Sequence, residues 1–238
     1  MFMSNNRTNE FAPVITIDGP SGTGKGTLSM LLAERLRWHY LDSGALYRVI
    51  ALAMIQQKVS FQQVAAIIEL IQQCDIQFAM DQAGMEKKVI LDGQDVTKTI
   101  RSEQISQASS KVSAIAEVRA ALTERQRAFR VYPGLVTDGR DMGTVIFPDA
   151  RLKIFMTASA KVRAERRYKQ LKNKGIDGNL AAILKELNER DVRDRQRSVA
   201  PLKPAGDAVQ IDTSDLSVEE VYQRLWQLVQ IYHLTTGS

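Results

Sequence analysis

Gly19-Pro-Ser-Gly-Thr-Gly-Lys-Gly-Thr27 sets four glycines around a single lysine. Glycines let successive backbone N–H groups converge on phosphate oxygens, and a following helix adds positive potential at its N-terminus. The loop comes after the β-branched run Pro13 to Asp18 and before Leu28, Leu31, Leu32 and Leu36 at helical spacing. That is the strand, loop and helix context of a phosphate-binding loop. Gly19, Pro20, Ser21, Gly22, Thr23, Gly24, Lys25, Gly26 and Thr27 are therefore expected to bind a nucleoside triphosphate, with Lys25 reaching the transferred phosphoryl group. The position after Lys25 is Gly26, so a metal-ligating hydroxyl has to come one residue later, at Thr27. A glycine-rich turn that merely starts a helix is the plainer reading, and the lysine together with both flanking elements disfavours it.

Two further segments carry charge where chemistry could use it. Leu135-Val-Thr-Asp-Gly-Arg-Asp141 is an apolar strand ending in Asp138, a position from which a carboxylate can hold magnesium directly or through water. Alone, Asp138-Gly139 would read as a turn; Arg140 and Asp141 beside it tilt the reading toward a site. Farther on, Leu180, Ile183, Leu184 and Leu187 form one helical stripe, and at about 100° per residue Asp194 falls within about 20° of Leu187. Arg190 and Arg197 flank that direction and can join Asp194 in a partly buried polar site. A solvated salt-bridge ladder is the alternative. His39 and His233 read as structural or surface residues.

These residues need a scaffold, and the patterning supplies one. Short apolar runs at 14–18, 39–42, 135–137, 152–156 and 208–211 alternate with helical patterns, which predicts a parallel sheet covered on both faces. The stretch from Ser43 to Arg130 is too long for one crossover and reads as an insertion. Within it, helices are expected at 45–57, 61–73 and 105–130, with small strands at 76–80 and 89–91 around a turn at 81–88. Ser217-Val-Glu-Glu220 is a capping box that opens a final helix striped by Val221, Leu225, Leu228 and Tyr232.

With 238 residues, the chain can bury a sizeable core. Its one cysteine, Cys74, forms no internal disulfide, residues 1–12 read as a polar frayed tail, and no apolar run reaches membrane-spanning length. A cytoplasmic protein is expected. The net charge of +5 is uneven: residues 151–203 carry 15 basic and 6 acidic side chains, and the rest of the chain sums to −4. A local positive field suits a small polyanion as well as a nucleic acid. No aromatic residues alternate with the arginines as a base-stacking platform would need, which disfavours a nucleic-acid-binding ATPase.

The segments IDGPSGTGKGT, LDSGALYR, TDGRDMGTVIFPDA and ERDVRDRQR occur in this order, and with them the chain resembles the bacterial cytidylate kinase family of nucleoside monophosphate kinases, from Pro13 to the last helix. The Gly-Lys-Gly-Thr ending is the form found in such kinases. The resemblance implies a P-loop NTPase fold: a parallel five-stranded sheet flanked by helices, with a nucleoside-monophosphate-binding insertion and a short lid. The implied division is a core of 13–42, 131–158 and 179–238, an insertion of 43–130 and a lid of 159–178.

It also implies transfer of the ATP γ-phosphoryl group to CMP or dCMP with Mg2+, no nucleic-acid or membrane partner, and a monomer. Carried over residue by residue, Lys25, Arg140, Arg190 and Arg197 would be catalytic. CMP would meet Ser43, Arg48 and Arg140 at its phosphate, and Ser110, Arg119 and Asp141 at its base. Arg190 and Asp194 would approach the ribose, Arg190 and Arg197 the phosphates, and Thr27 and Asp138 the metal. Arg163, Arg166 and Arg167 would lie in the lid, without a decision as to which touches phosphate. A UMP or shikimate kinase would share the loop but lack the Asp141 and Arg119 pairing.

Overall fold

In a computed structural model of the chain, residues 12–80, 87–173, 175 and 177–234 are described. The chain divides into two compact units, one running to Leu41 and resuming at Gln126, the other spanning Asp42–Arg125. The tail expected at 1–12 lies, Ala12 apart, outside the described residues, as do most of the turn expected at 81–88 and two residues, 174 and 176, of the expected lid.

The first unit is built on a five-stranded parallel sheet of β1 (Val14–Asp18), β2 (His39–Asp42), β6 (Leu135–Gly139), β7 (Leu152–Thr157) and β8 (Val209–Asp212), in the order β2-β6-β1-β7-β8. β1 is the central strand, with Asp18 level with Gly139 of β6 and with Phe155 of β7. All five of its residues are buried, as expected of a parallel strand covered on both faces. Helices α1 (Lys25–Leu36), α6 (Ala160–Asn173), α7 (Leu180–Gln196) and α8 (Val218–Ile231) belong to this unit. Leu28, Leu32 and Leu36 of α1 and Val221, Leu225 and Val229 of α8 join Ile15, Ile17, Val136 and Ile154 in one core. Trp38 is buried in that core, and Trp226 packs against it with the Arg35 guanidinium 3.8 Å from its ring centroid. Ser217 and Glu220 make the expected reciprocal cap of α8.

The second unit holds α2 (Ser43–Gln56), α3 (Val64–Gln73), α4 (Glu103–Val112), most of α5 (Ala116–Arg127), and an antiparallel sheet of β3 (Ile76–Met80), β4 (Lys87–Leu91) and β5 (Gln94–Asp95). α2 is buried along most of its length, from Ser43 to Met54, because α3 and α4 both pack on it.

Three patterning expectations are corrected. The helix expected from Phe61 begins at Val64. The single helix expected over 105–130 is two, because the carbonyls ending α4 are taken by Ala114 and Ile115 in tight turns and the Ser113 carbonyl by the Arg119 guanidinium. Leu180, expected on the inward stripe of α7, is 42% exposed at the helix start, while Ile183 and Leu187 are buried against Ala164 of α6.

Candidate active site

At the end of β1 the chain turns sharply at Gly19, whose φ is +151°, and a Cβ there would lie 2.2 Å from the Met156 carbonyl oxygen of β7. Only glycine allows this approach. Gly24, also left-handed, leads into α1, and no side chain caps that helix, so its first amides point toward any anion in the loop. Lys25 is buried, and its ammonium donates to the Pro20 carbonyl at 3.0 Å, which curls the side chain over the loop. Thr27, in the first turn of α1, is exposed.

Asp138 sits at the end of β6, buried, and the Tyr40 hydroxyl of β2 donates to its Oδ1 at 2.6 Å. An ideal Cβ on Gly26 would lie 3.9 Å from the same oxygen, so the start of α1 and Asp138 are adjacent. Carboxylate and hydroxyl oxygens are hard donors that suit Mg2+, which in kinases takes one or two protein ligands and leaves the rest to phosphates and water.

After β6 the chain passes through Arg140 and Asp141 into a single π-helical turn, Met142–Ile146. Arg140 donates from Nε to Asp194 Oδ2 at 2.7 Å and from Nη2 to Ser21 Oγ of the phosphate loop at 2.6 Å. Asp194 is buried on α7. Burial alone would raise its pKa, but the guanidinium groups of Arg140, Arg190 and Arg197 outweigh that and hold it below the usual carboxylate range. Arg190 and Arg197, the residues expected to join Asp194, are near enough for their charges to act on it, while the direct bond comes from Arg140. Arg197, however, is not on the helix but caps its C-terminus in extended conformation, with Nε bonded to the Ala200 carbonyl and Nη2 3.7 Å from Asp141 Oδ1. Helical angles therefore do not govern it.

Of the arginines expected in a lid, Arg163 and Arg166 are bound into the fold. Arg163 is buried and forms a bidentate pair with Asp191, at 2.7 Å and 3.2 Å, while also donating to the Ser21 carbonyl. Arg166 donates to the Thr213 hydroxyl and to the carbonyls of Thr213 and Leu216. Asp191 was not among the expected site residues, although it stands four residues after Leu187, where the stripe that reaches Asp194 equally points.

Asp18 and Tyr40 were missed too, and for them the sequence offers little signal: each acts through a partner more than 90 positions away. Both Asp18 oxygens accept backbone N–H groups, from Met142 at 2.9 Å and Gly143 at 2.8 Å. Burial, with the nearby Asp141 charge adding to it, pushes the Asp18 carboxyl up to about 7 against these two hydrogen bonds and the Lys25 ammonium.

In the second unit, Asp42 caps α2 by accepting from the Ala45 N–H at 3.0 Å, which fixes the buried Ser43 in the first turn. Arg48 folds back over that turn, its Nη2 3.1 Å from where a Cβ on Gly44 would stand. Ser110 is buried on α4. Arg119 on α5 is 5% exposed, with Nη1 on the Ser113 carbonyl at 3.0 Å and its guanidinium carbon 5.5 Å from the Tyr47 ring centroid.

A protein-family model described as cytidylate kinase matches residues 15–231. Among curated relatives, the cytidylate kinase of Aeromonas hydrophila is 56% identical over 212 residues, covering 89% of this chain and 91% of its own. That of Stutzerimonas stutzeri is 57% identical, covering 90% and 93%, and that of Shewanella denitrificans 54% identical, covering 93% and 98%.

Proposed function

The chain belongs to the cytidylate kinase family, and from that premise we propose that it transfers the γ-phosphoryl group of ATP to CMP or dCMP, giving ADP and CDP or dCDP. The observation that carries the reading to these residues is Arg140, which is bonded at once to Asp194 of α7 and to Ser21 of the phosphate loop. The acceptor is a phosphate oxygen already ionised at neutral pH, so the reaction needs no general base. It needs alignment and positive charge where negative charge spreads in the transition state. Clustered guanidinium forks answer that need.

The phosphate loop, Gly19 to Thr27, binds the ATP phosphates, and Lys25 exchanges the Pro20 carbonyl for a phosphoryl oxygen. Thr27 and Asp138 would hold Mg2+, directly or through water, with Tyr40 orienting the Asp138 carboxylate; bound there, the ion would neutralise charge on the phosphates. Ser43, Arg48 and Arg140 bind the acceptor phosphate, Arg190 and Asp194 the ribose, and Arg190 and Arg197 the phosphates. Ser110, Arg119 and Asp141 read the base. Asp141 accepts from the cytosine amino group, whereas uracil would set a carbonyl oxygen against the carboxylate, a mismatch that a buried polar pocket rejects strongly. Residues 159–178 act as a lid that excludes water from the phosphoryl path. The enzyme works as a monomer in the cytoplasm.

A coupled assay of ADP release, with ATP and each of CMP, dCMP, UMP, AMP and shikimate, tests the reading. Turnover is expected with CMP and dCMP well above UMP, and preference for any other acceptor would overturn it. Asp141→Asn, whose amide can donate to the uracil carbonyl, should narrow the CMP to UMP ratio of kcat/KM by about tenfold or more. Asp141→Ala should lower CMP turnover without aiding UMP.

A further inference from the structure

The function just proposed assigns tasks to the side chains of Arg140 and Asp141 but leaves open what holds the backbone of these two consecutive residues still. On one side they hang from β6, which ends at Gly139 in register with Asp18 of the central strand. On the other side the π-helical turn begins at Met142. The first amides of any helical turn have no acceptor within it. Here the first two are taken by one side chain: Asp18 accepts from Met142 through Oδ1 and from Gly143 through Oδ2.

Contacts around this brace are close. A Cβ on Gly143 would come 2.8 Å from the Thr16 hydroxyl oxygen of β1, and one on Gly139 would come 2.8 Å from Met142 Cγ. The segment 139–143 therefore folds directly onto the strand that launches the phosphate loop. Asp18 is 4% exposed, so it can meet substrate only through what it holds.

We propose that Asp18 is a positioning residue for phosphoryl transfer: by gripping the Met142 and Gly143 amides it fixes the backbone of Arg140 and Asp141 against the strand that carries the phosphate loop. The donor-side loop and the residues that read the acceptor are thereby referenced to one strand end, with Gly19 leaving β1 immediately after Asp18. A misplacement of about an ångström in such an arrangement costs a large factor in rate. The inference rests on the reading of Arg140 and Asp141 as acceptor-side residues.

The test uses Asp18→Asn in the full chain, which keeps size and shape but turns one acceptor into an N–H that faces another N–H. Steady-state kinetics with ATP and CMP, and with ATP and UMP, would be compared with wild type alongside a thermal melt. With a cooperative melt retained, KM for CMP should rise at least about fivefold while KM for ATP changes less than about twofold, and the CMP to UMP ratio of kcat/KM should narrow by about threefold or more. Amide exchange at Met142 and Gly143 should quicken. Should Asp18→Asn fail to fold, Gly143→Ala disturbs the same contact from the other partner and should give the same split. Unchanged KM for CMP and an unchanged base ratio, in whichever variant folds, would overturn the proposal even if the melting temperature dropped. Wild-type enzyme that fails to prefer CMP would instead overturn the underlying functional reading, and the two failures appear in different arms.

Discussion

Asp18 and Asp194 are both buried carboxylates, yet their pKa values move in opposite directions, because Asp194 faces guanidinium groups and Asp18 faces mainly backbone amides with another carboxylate nearby. The consequence for stability has opposite signs. A raised folded pKa means that the native state holds a proton the unfolded chain has released, so the Asp18 contribution is complete below about 3.8 and is lost as pH climbs through about 7. The Asp194 contribution is present above the ordinary carboxylate value and is lost in acid as pH falls through its lowered pKa. Urea unfolding of wild type and Asp18→Asn at pH 5 and pH 8 should therefore show the variant gaining on wild type by about 2 kcal/mol on the alkaline side. A difference independent of pH would show that Asp18 does not titrate in this window. Lys25→Met should lose at least about a thousandfold in kcat with an unchanged melt, since the ammonium is needed mainly in the transition state. Rapid-quench assays would check it. Of these residues, Lys25 is legible from its loop and Asp194 from its helical phase. Asp18 is not, because its side chain works on amides 124 and 125 positions away.

Among the elements, α7 joins packing to the charged part of the site. Its buried face passes from Ile183 and Leu187 to Asp191 and Asp194, so one helix packs with its first half and binds arginines with its second. The Arg163 and Asp191 pair ties α6 to α7 and, through the Ser21 carbonyl, to the phosphate loop. Removing one partner of a buried pair strands the other, so Arg163→Met should cost about 3–5 kcal/mol in chemical denaturation, and Arg163→Met with Asp191→Leu together should recover much of it. A cost below about 1 kcal/mol would mean that the pair is solvated. The strands and most helices follow from apolar runs and periodicity. The break between α4 and α5 does not, because it combines tight turns at Ala114 and Ile115 with the Arg119 guanidinium capturing a carbonyl six residues back. The π-helical turn is equally hidden, held as it is by a carboxylate from β1.

For the whole molecule, the basic stretch 151–203 is less exposed as charge than its count implies. Lys153 pairs with Asp207, Arg163 with Asp191, and Arg197 lies close to Asp141, so these cations already have acidic neighbours within the first unit. Nucleic-acid affinity scales with the phosphates neutralised and falls steeply with salt. Fluorescence anisotropy with a labelled single strand at about 0.15 M salt should show no saturation at micromolar protein, whereas a fluorescent ATP analogue should saturate its site. Tight, salt-resistant binding would revive the nucleic-acid reading. The sequence carries the sign and place of this charge, but which cations have partners emerges only when β7, α6 and α7 are brought together.

Both tryptophans of the chain, Trp38 and Trp226, belong to one hydrophobic cluster, and Trp226 lies beneath the Arg35 guanidinium. The second unit contains none. Intrinsic emission is thus a selective optical reporter of the unit that carries the phosphate loop, while far-ultraviolet dichroism sums the helices of both. Recording the two signals on a single melt separates the units without a label: coincident curves mean that they lose structure together, and displaced curves give each its own transition.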